Sequence, residues 1–361
     1  MDQKTMDQQT MEQQNGISSP LLSSSPRKRS WFATLLSQRS VQITWIAWLV
    51  ANALILAIAQ GTLPFKRPAL AGQSFAYQVV VANLGLVEVF GLMGIVYALT
   101  CKRSVPDIAA RAPERATARR ETLLLVGYGI VAQIGGFILG RVFGWHPISF
   151  HLVGTLYGTA EQVEPAQVFV WASYNFVVNA LAPYLFFRRR YSAEALNLTS
   201  NNRRNDALVI VVVLVIESLV EIFGLSSALL QLSPRQLLLG TPLTFVLYFF
   251  GTVLPTMIFL YCILIPRYLR LTSSVAITVI MGGLTYTGLH FFDGWTVFTS
   301  PGDAVLSVIF LLLLYLGPGM FKTFLTLRTG NAWVHVWAYH ALAPHVVQDT
   351  PLIVKIFHIF R

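Results

Sequence analysis

Charge is what this chain has little of. Asp, Glu, Lys and Arg make up 12% of its 361 residues, about half the share found in soluble domains. Hydrophobic residues account for 55%, so most of the surface has to face something other than water. An ordinary soluble enzyme is excluded on that ground. Cysteine is scarce too. Cys101 and Cys262, both near expected helix ends, offer neither a disulfide framework nor metal-ligand spacing. The formal charge is +10, yet the Lys and Arg residues lie between apolar runs and not on one continuous face, which argues against a nucleic-acid partner.

What is present is a series of long apolar runs. Residues 1–30 precede them as a polar, repetitive tail, with Met1-Asp-Gln-Lys-Thr followed by Met6-Asp-Gln-Gln-Thr and Met11-Glu-Gln-Gln, and the composition predicts disorder there. Arg27-Lys28-Arg29 then stand before the first run, which is too long for a signal-peptide core and lacks a small-residue cleavage pattern. A membrane helix needs roughly 20 mostly apolar residues. Such runs occur at Val41–Thr62, Ala76–Leu99, Thr122–Gly140, Val168–Phe187, Ala207–Leu230, Leu243–Ile265, Val275–Phe292 and Ala304–Phe321. A ninth, at Ala332–Val347, is punctuated by His and Pro and reads as a short span or a re-entrant piece. The expected fold is an all-α, polytopic bundle of about eight or nine membrane segments.

Charge then gives the bundle a direction. With the N-terminus in the cytoplasm, the loops 100–121, 188–206 and 266–272 are cytoplasmic and carry Lys102, Arg103, Arg111, Arg115, Arg119, Arg120, Arg188, Arg189, Arg190, Arg203, Arg204, Arg267 and Arg270. The opposite side receives Lys66, Arg67, Arg141 and Arg235, and its loops 146–165 and 293–303 contain no Lys or Arg. This is the positive-inside bias, and it points to a multi-pass protein of the plasma membrane. Asn197-Leu198-Thr199 has the form of a glycosylation sequon but falls on the cytoplasmic side. His146, His151, Glu161 and Glu164 share an external loop, where solvated side chains are the simpler reading than metal ligands.

An ionisable group in hydrocarbon is costly and therefore informative. Glu88, the pair Glu217/Glu221, His290, and the set His335, His340 and His345 stand out. Glu217 and Glu221 project from one helix face, and two carboxylates so close in low dielectric do not both ionise comfortably. They read either as an acid/base or metal-binding pair, or as carboxyls that join helices. The three C-terminal histidines are five residues apart, so a regular helix turns each about 140° from the last and they cannot converge on one metal. Trp333, Trp337 and His340 share a face at i, i+4, i+7, and Pro344 is expected to kink or end the segment. Asn175 and Asn179 are expected to form interhelical hydrogen bonds.

The order of parts from about Tyr191 to Asp349 resembles the CAAX-protease and bacteriocin-processing (CPBP) family of intramembrane proteases. Arg188–Arg190 followed by Tyr191-Ser-Ala-Glu-Ala-Leu-Asn-Leu resembles the family's element before its core. Ile263-Leu-Ile-Pro-Arg267-Tyr-Leu resembles the end of its first motif helix, and Tyr286-Thr-Gly-Leu-His290 matches an aromatic-x-x-x-His motif. Arg328-Thr-Gly-Asn-Ala-Trp333 leads into Ala338-Tyr-His340-Ala-Leu, similar to the last motif helix. The resemblance implies that His290 and His340 hold or polarise a water, or stabilise an oxyanion. It also implies a Glu-Glu-x-x-x-Arg general base, which the corresponding stretch Leu254–Cys262 lacks, and a final Asn where Pro344 stands.

With that glutamate absent, Glu221 and then Glu217 are the available carboxylates, and the expected catalytic set is His290, His340, Glu221 and Glu217. A divalent metal is left open, with His290 and His340 as its ligands if one is bound. The expected organisation is a tail at 1–30, a four-helix membrane region at 31–190, a CPBP-like core at 191–349 and a C-terminal tail at 350–361. The expected partners are the lipid bilayer and a membrane-embedded or lipidated peptide. Three functions follow: an intramembrane endopeptidase, a non-catalytic scaffold that binds such peptides, and a proton-coupled transporter.

Overall fold

A computed structural model describes residues 37–65, 73–151, 163–225 and 227–360. The expected tail 1–30, with Arg27–Arg29, lies outside them, as do Lys66, Arg67 and Glu161. Every regular element among the described residues is helical. The chain divides into two units between Ile46 and Ala47. In the first, the described residues from Arg39 begin helix α1 (Arg39–Ala59). The second runs without division across the boundary expected near residue 190.

The second unit continues with α2 (Phe75–Thr100), α3 (Arg115–Val142), α4 (Pro165–Arg188), α5 (Arg203–Gly224), α6 (Pro234–Thr272), α7 (Val275–Leu289) and α8 (Pro301–Thr329). A last helix, α9, spans 332–356. Seven of these, α1 to α6 and α8, are long and apolar enough to cross a membrane, and α7 is apolar but shorter. The architecture is that of an integral membrane protein.

Burial sorts the helices. Leu, Ile and Val side chains on α1, α2 and α3, among them Leu56, Val87, Leu123 and Val131, are widely exposed, which suits lipid contact and not water. By contrast α6 is buried almost continuously from Gly251 to Pro266 and forms the centre. Helices α7 and α8 approach closely through small residues, because a Cβ on Gly282 would strike Thr323 and one on Gly319 would meet Tyr286 at 2.6 Å. Close backbone approach is how helices associate where lipid tails are as apolar as the side chains. Asn52 and Asn83 exchange amide hydrogen bonds of 2.8 and 3.1 Å, and Trp48 Nε1 donates to Asn83 at 2.7 Å, joining α1 to α2.

One end of the bundle gathers the expected cytoplasmic loops. Arg103 binds Asp206 at 2.7 Å and the Thr329 carbonyl at 3.0 Å. Arg111 donates to Asn197 and to the carbonyl of Gly330, the left-handed residue that ends α8. Arg267, buried between the rings of Phe187 and Tyr191, holds Glu121 at 2.6 Å. Asn197 is fully buried, with its amide donating to the Tyr261 carbonyl, so the sequon is closed off by packing whatever its side of the membrane.

Candidate functional site

The histidines of α9 do not diverge. Val336–His340 and Leu342–Val347 are π-helical, and the Ala341 N–H donates to the Val336 carbonyl five residues back. A π turn closes on i and i+5, so residues spaced by five return to one side. The ring centroids of His335 and His340 are 6.0 Å apart, and those of His340 and His345 are 5.2 Å apart. The expected 140° spread is overturned because the helix is not regular. Helix α9 also continues through Pro344, bending at Ala341, since local π geometry accommodates the missing N–H. The face expected for Trp337 and His340 splits for the same reason: Trp337 stacks on Phe245 and Phe249, whereas His340 meets Tyr286.

The row of imidazoles extends beyond α9. His151 lies 5.8 Å from His345 and 6.2 Å from His290, centroid to centroid. His151 stands on the segment after α3, and four contacts fix that segment. Gly136 and Gly140 on α3 let the Ile148 and His146 carbonyls press against the helix where a Cβ would collide. Trp171 Nε1 and Asn175 Nδ2, both from α4, donate to the Ser149 carbonyl at 2.7 and 2.8 Å. Asn179 donates to Asn175 within α4, so this pair serves the loop and not the interhelical bonding expected of it.

His290 caps α7, and Asp293 follows it by three residues. His290 Nδ1 and Asp293 Oδ2 are 3.1 Å apart. Asp293 also accepts from Tyr315 O–H at 2.7 Å, Ser149 O–H at 2.8 Å and the His151 N–H at 3.3 Å. With these three donors already on it, the Asp293 carboxyl serves as an acceptor for His290 as well. The proton of His290 therefore sits on Nδ1 and leaves the lone pair on Nε2, an atom with no hydrogen-bond partner among the described residues. His340 is the complement. Its Nε2 lies 3.3 Å from the Tyr286 hydroxyl. If Tyr286 donates there, Nδ1 carries the proton, and that atom has no hydrogen-bond partner among the described residues. His290 and His340 thus share Tyr286, whose ring is 4.7 Å from that of His290 and 5.9 Å from that of His340.

The two glutamates of the expected set bond to other side chains. Glu221 accepts from the Gln348 side chain. Glu217 interacts side chain to side chain with Glu88 and Tyr339. Neither is hydrogen-bonded to His290 or His340 among the described residues. Two residues that sequence reasoning passed over belong to the site. Asp293 was read as external loop, although its i, i+3 spacing from His290 was visible. Lys322 follows the expected end of its helix at Phe321, but α8 runs on to Thr329 and buries it completely. Its Nζ stands 3.4 Å from the centroid of the Tyr286 ring and has no hydrogen-bond partner among the described residues.

Asp349, one helical turn beyond His345, completes a second group. His345 Nδ1 is 3.1 Å and His151 Nε2 is 3.9 Å from Asp349 Oδ2. Burial disfavours the His151 imidazolium, but its hydrogen bond to Asp349 and the charges of Asp349 and Asp293 outweigh that, and the group titrates above its ordinary value. His151, His345 and Asp349 are the described residues that present three ligand atoms within 4.8 Å of one another, and neither His290 nor His340 is among them. No family model, curated protein or solved structure matches this chain.

Proposed function

We propose that this protein is an intramembrane hydrolase of the endopeptidase type, acting on membrane-embedded or lipid-modified peptides, with its N-terminus in the cytoplasm and the plasma membrane as its location. The observation that carries the reading is the His290–Asp293 pair, which leaves Nε2 of a buried imidazole without a hydrogen-bond partner among the described residues and able to act as a base. In that role Nε2 takes a proton from water as the oxygen attacks the peptide carbonyl, and later gives it to the departing amine. The Nδ1–H of His340 is the donor for the developing oxyanion. Asp293 keeps His290 in the required tautomer, the work of the third member of a catalytic triad. A carboxylate thus stands behind the histidine, where the resemblance to CPBP proteases called for a glutamate base in α6.

Protein reconstituted in liposomes with a fluorogenic lipidated peptide tests this. Peptide cleavage is expected, with a loss of about 10²–10⁴-fold on His290→Ala, the usual range for removing a general base. Absence of cleavage by the wild type, or full activity in a folded His290→Ala variant, overturns the assignment.

One observation favours a second reading. The row His335, His340, His345, His151 and His290, with steps of 5.2–6.2 Å, resembles the ionisable chains that relay protons in transporters. Proton flux in the same liposomes, lost on His340→Ala and independent of any peptide, selects it over hydrolysis.

A further inference from the structure

We infer that His151, His345 and Asp349 form a binding site for a divalent transition-metal cation of the zinc type, separate from the His290–Asp293 pair. The three side chains come from two parts of the chain. His345 and Asp349 are four residues apart on α9, the spacing that sets two ligands on one helix face in helical zinc motifs. His151 arrives from the segment that Gly136, Gly140, Trp171 and Asn175 clamp.

The geometry is close to what such an ion requires. Metal–ligand bonds of about 2.0–2.2 Å in a tetrahedral site imply donor separations of roughly 3.4 Å, and the observed 3.1 Å and 3.9 Å to Asp349 Oδ2 bracket that figure. All three side chains are more than nine-tenths buried, so little water competes. The proton that His345 Nδ1 now shares with Asp349 is what a cation would displace.

Supporting residues are also in place. Tyr248 stacks on His345 with centroids 4.8 Å apart and interacts with Asp349, fixing both as outer-shell partners fix the ligands of metal centres. Asp293 receives the backbone N–H of His151 and adds a second negative charge beside it. Two imidazoles and one carboxylate match the protein donor set of catalytic zinc sites.

The test uses full-length protein in detergent, stripped with a chelator and titrated with Co²⁺. One equivalent should bind and give the visible absorption of a low-coordinate cobalt centre, with Zn²⁺ displacing it. His345→Gln and Asp349→Asn should each weaken binding by more than the 10–100-fold that outer-shell changes cost, while His146→Ala, in the same loop, should retain it. X-ray absorption of the zinc-loaded wild type should find two imidazoles with oxygen ligands and no sulfur, a readout that needs no variant to fold. Failure of the wild type to bind, unchanged binding in His345→Gln and Asp349→Asn, or fewer than two imidazoles overturns the site. Binding is read apart from peptide cleavage, so either proposal can fail alone.

Discussion

The ring of His290 lies flat on that of Tyr315, with centroids 3.9 Å apart and planes inclined by 6°, and the tyrosine hydroxyl reaches past it to the same Asp293 oxygen that faces His290 Nδ1. The histidine is therefore held by its face as well as its edge. Tyr315→Phe keeps the stack and deletes one donor to a buried carboxylate. A loss of about 1–3 kcal/mol is expected, measured by thermal unfolding in detergent. Asp293→Ala, which strands the Tyr315 and Ser149 hydroxyls together, should cost more than Tyr315→Phe in the same assay.

Glu121 and Arg267 form the buried ion pair that ties α3 to α6, and Tyr191 O–H donates to the other carboxylate oxygen at 2.7 Å. Removing one partner leaves an uncompensated buried charge. Glu121→Ala should destabilise the protein by about 3–5 kcal/mol, and the double change Glu121→Ala with Arg267→Met should recover part of that. Equal melting temperatures for the single and double variants would count against this account.

Lys322 has the opposite character, being buried beside the rings of Tyr286 and Tyr339 with no hydrogen-bond partner among the described residues. Lys322→Met replaces an expensive group by one of similar length. Folding should be retained or improved, since burying a polar group without a hydrogen-bond partner is costly. Peptide cleavage, if it depends on the field around Tyr286 and His340, should fall in the same variant. A sharp drop in melting temperature would instead make Lys322 a structural residue.

Gly136 is predicted to be intolerant of any side chain. Gly136→Val drives a branched side chain into the Ile148 carbonyl, and overpacking of this kind costs typically about 1–3 kcal/mol. The same change should displace His151 and reduce cobalt binding, whereas Gly127→Ala on α3, which meets nothing within 4 Å, should do neither. Asn197, for its part, should carry no glycan when the protein is produced in a glycosylating host, as read by an endoglycosidase mobility shift.

Much of the fold was legible because a bilayer acts as a one-dimensional ruler. Apolar runs such as Ala76–Leu99 and Val168–Phe187 fall inside α2 and α4. Less legible was where a run stops. The count that ended α8 at Phe321 missed the eight residues to Thr329, because Lys322 looked like a terminus when it is an interior group. Partner choice was hidden altogether. Glu217 and Glu221 do share a helix, but Glu88 and Gln348, from other helices, set their contacts. His290 and His340 stood out as ionisable groups within apolar runs. Asp293 and Asp349 follow a histidine by three and four residues, but spacing alone did not show that each would fold back against it.

A π turn is an α turn with one residue too many, and that gives the chain length of α9 a meaning of its own. Deleting any single residue between Val336 and His345 would let the segment relax toward ordinary winding and swing everything beyond it by about 100°. His345 and Asp349 would travel together, still one turn apart, and leave His151 behind. The alignment of the imidazole row with the rest of the bundle is therefore stored as a residue count, so a one-residue shortening should do more harm here than most changes of side chain.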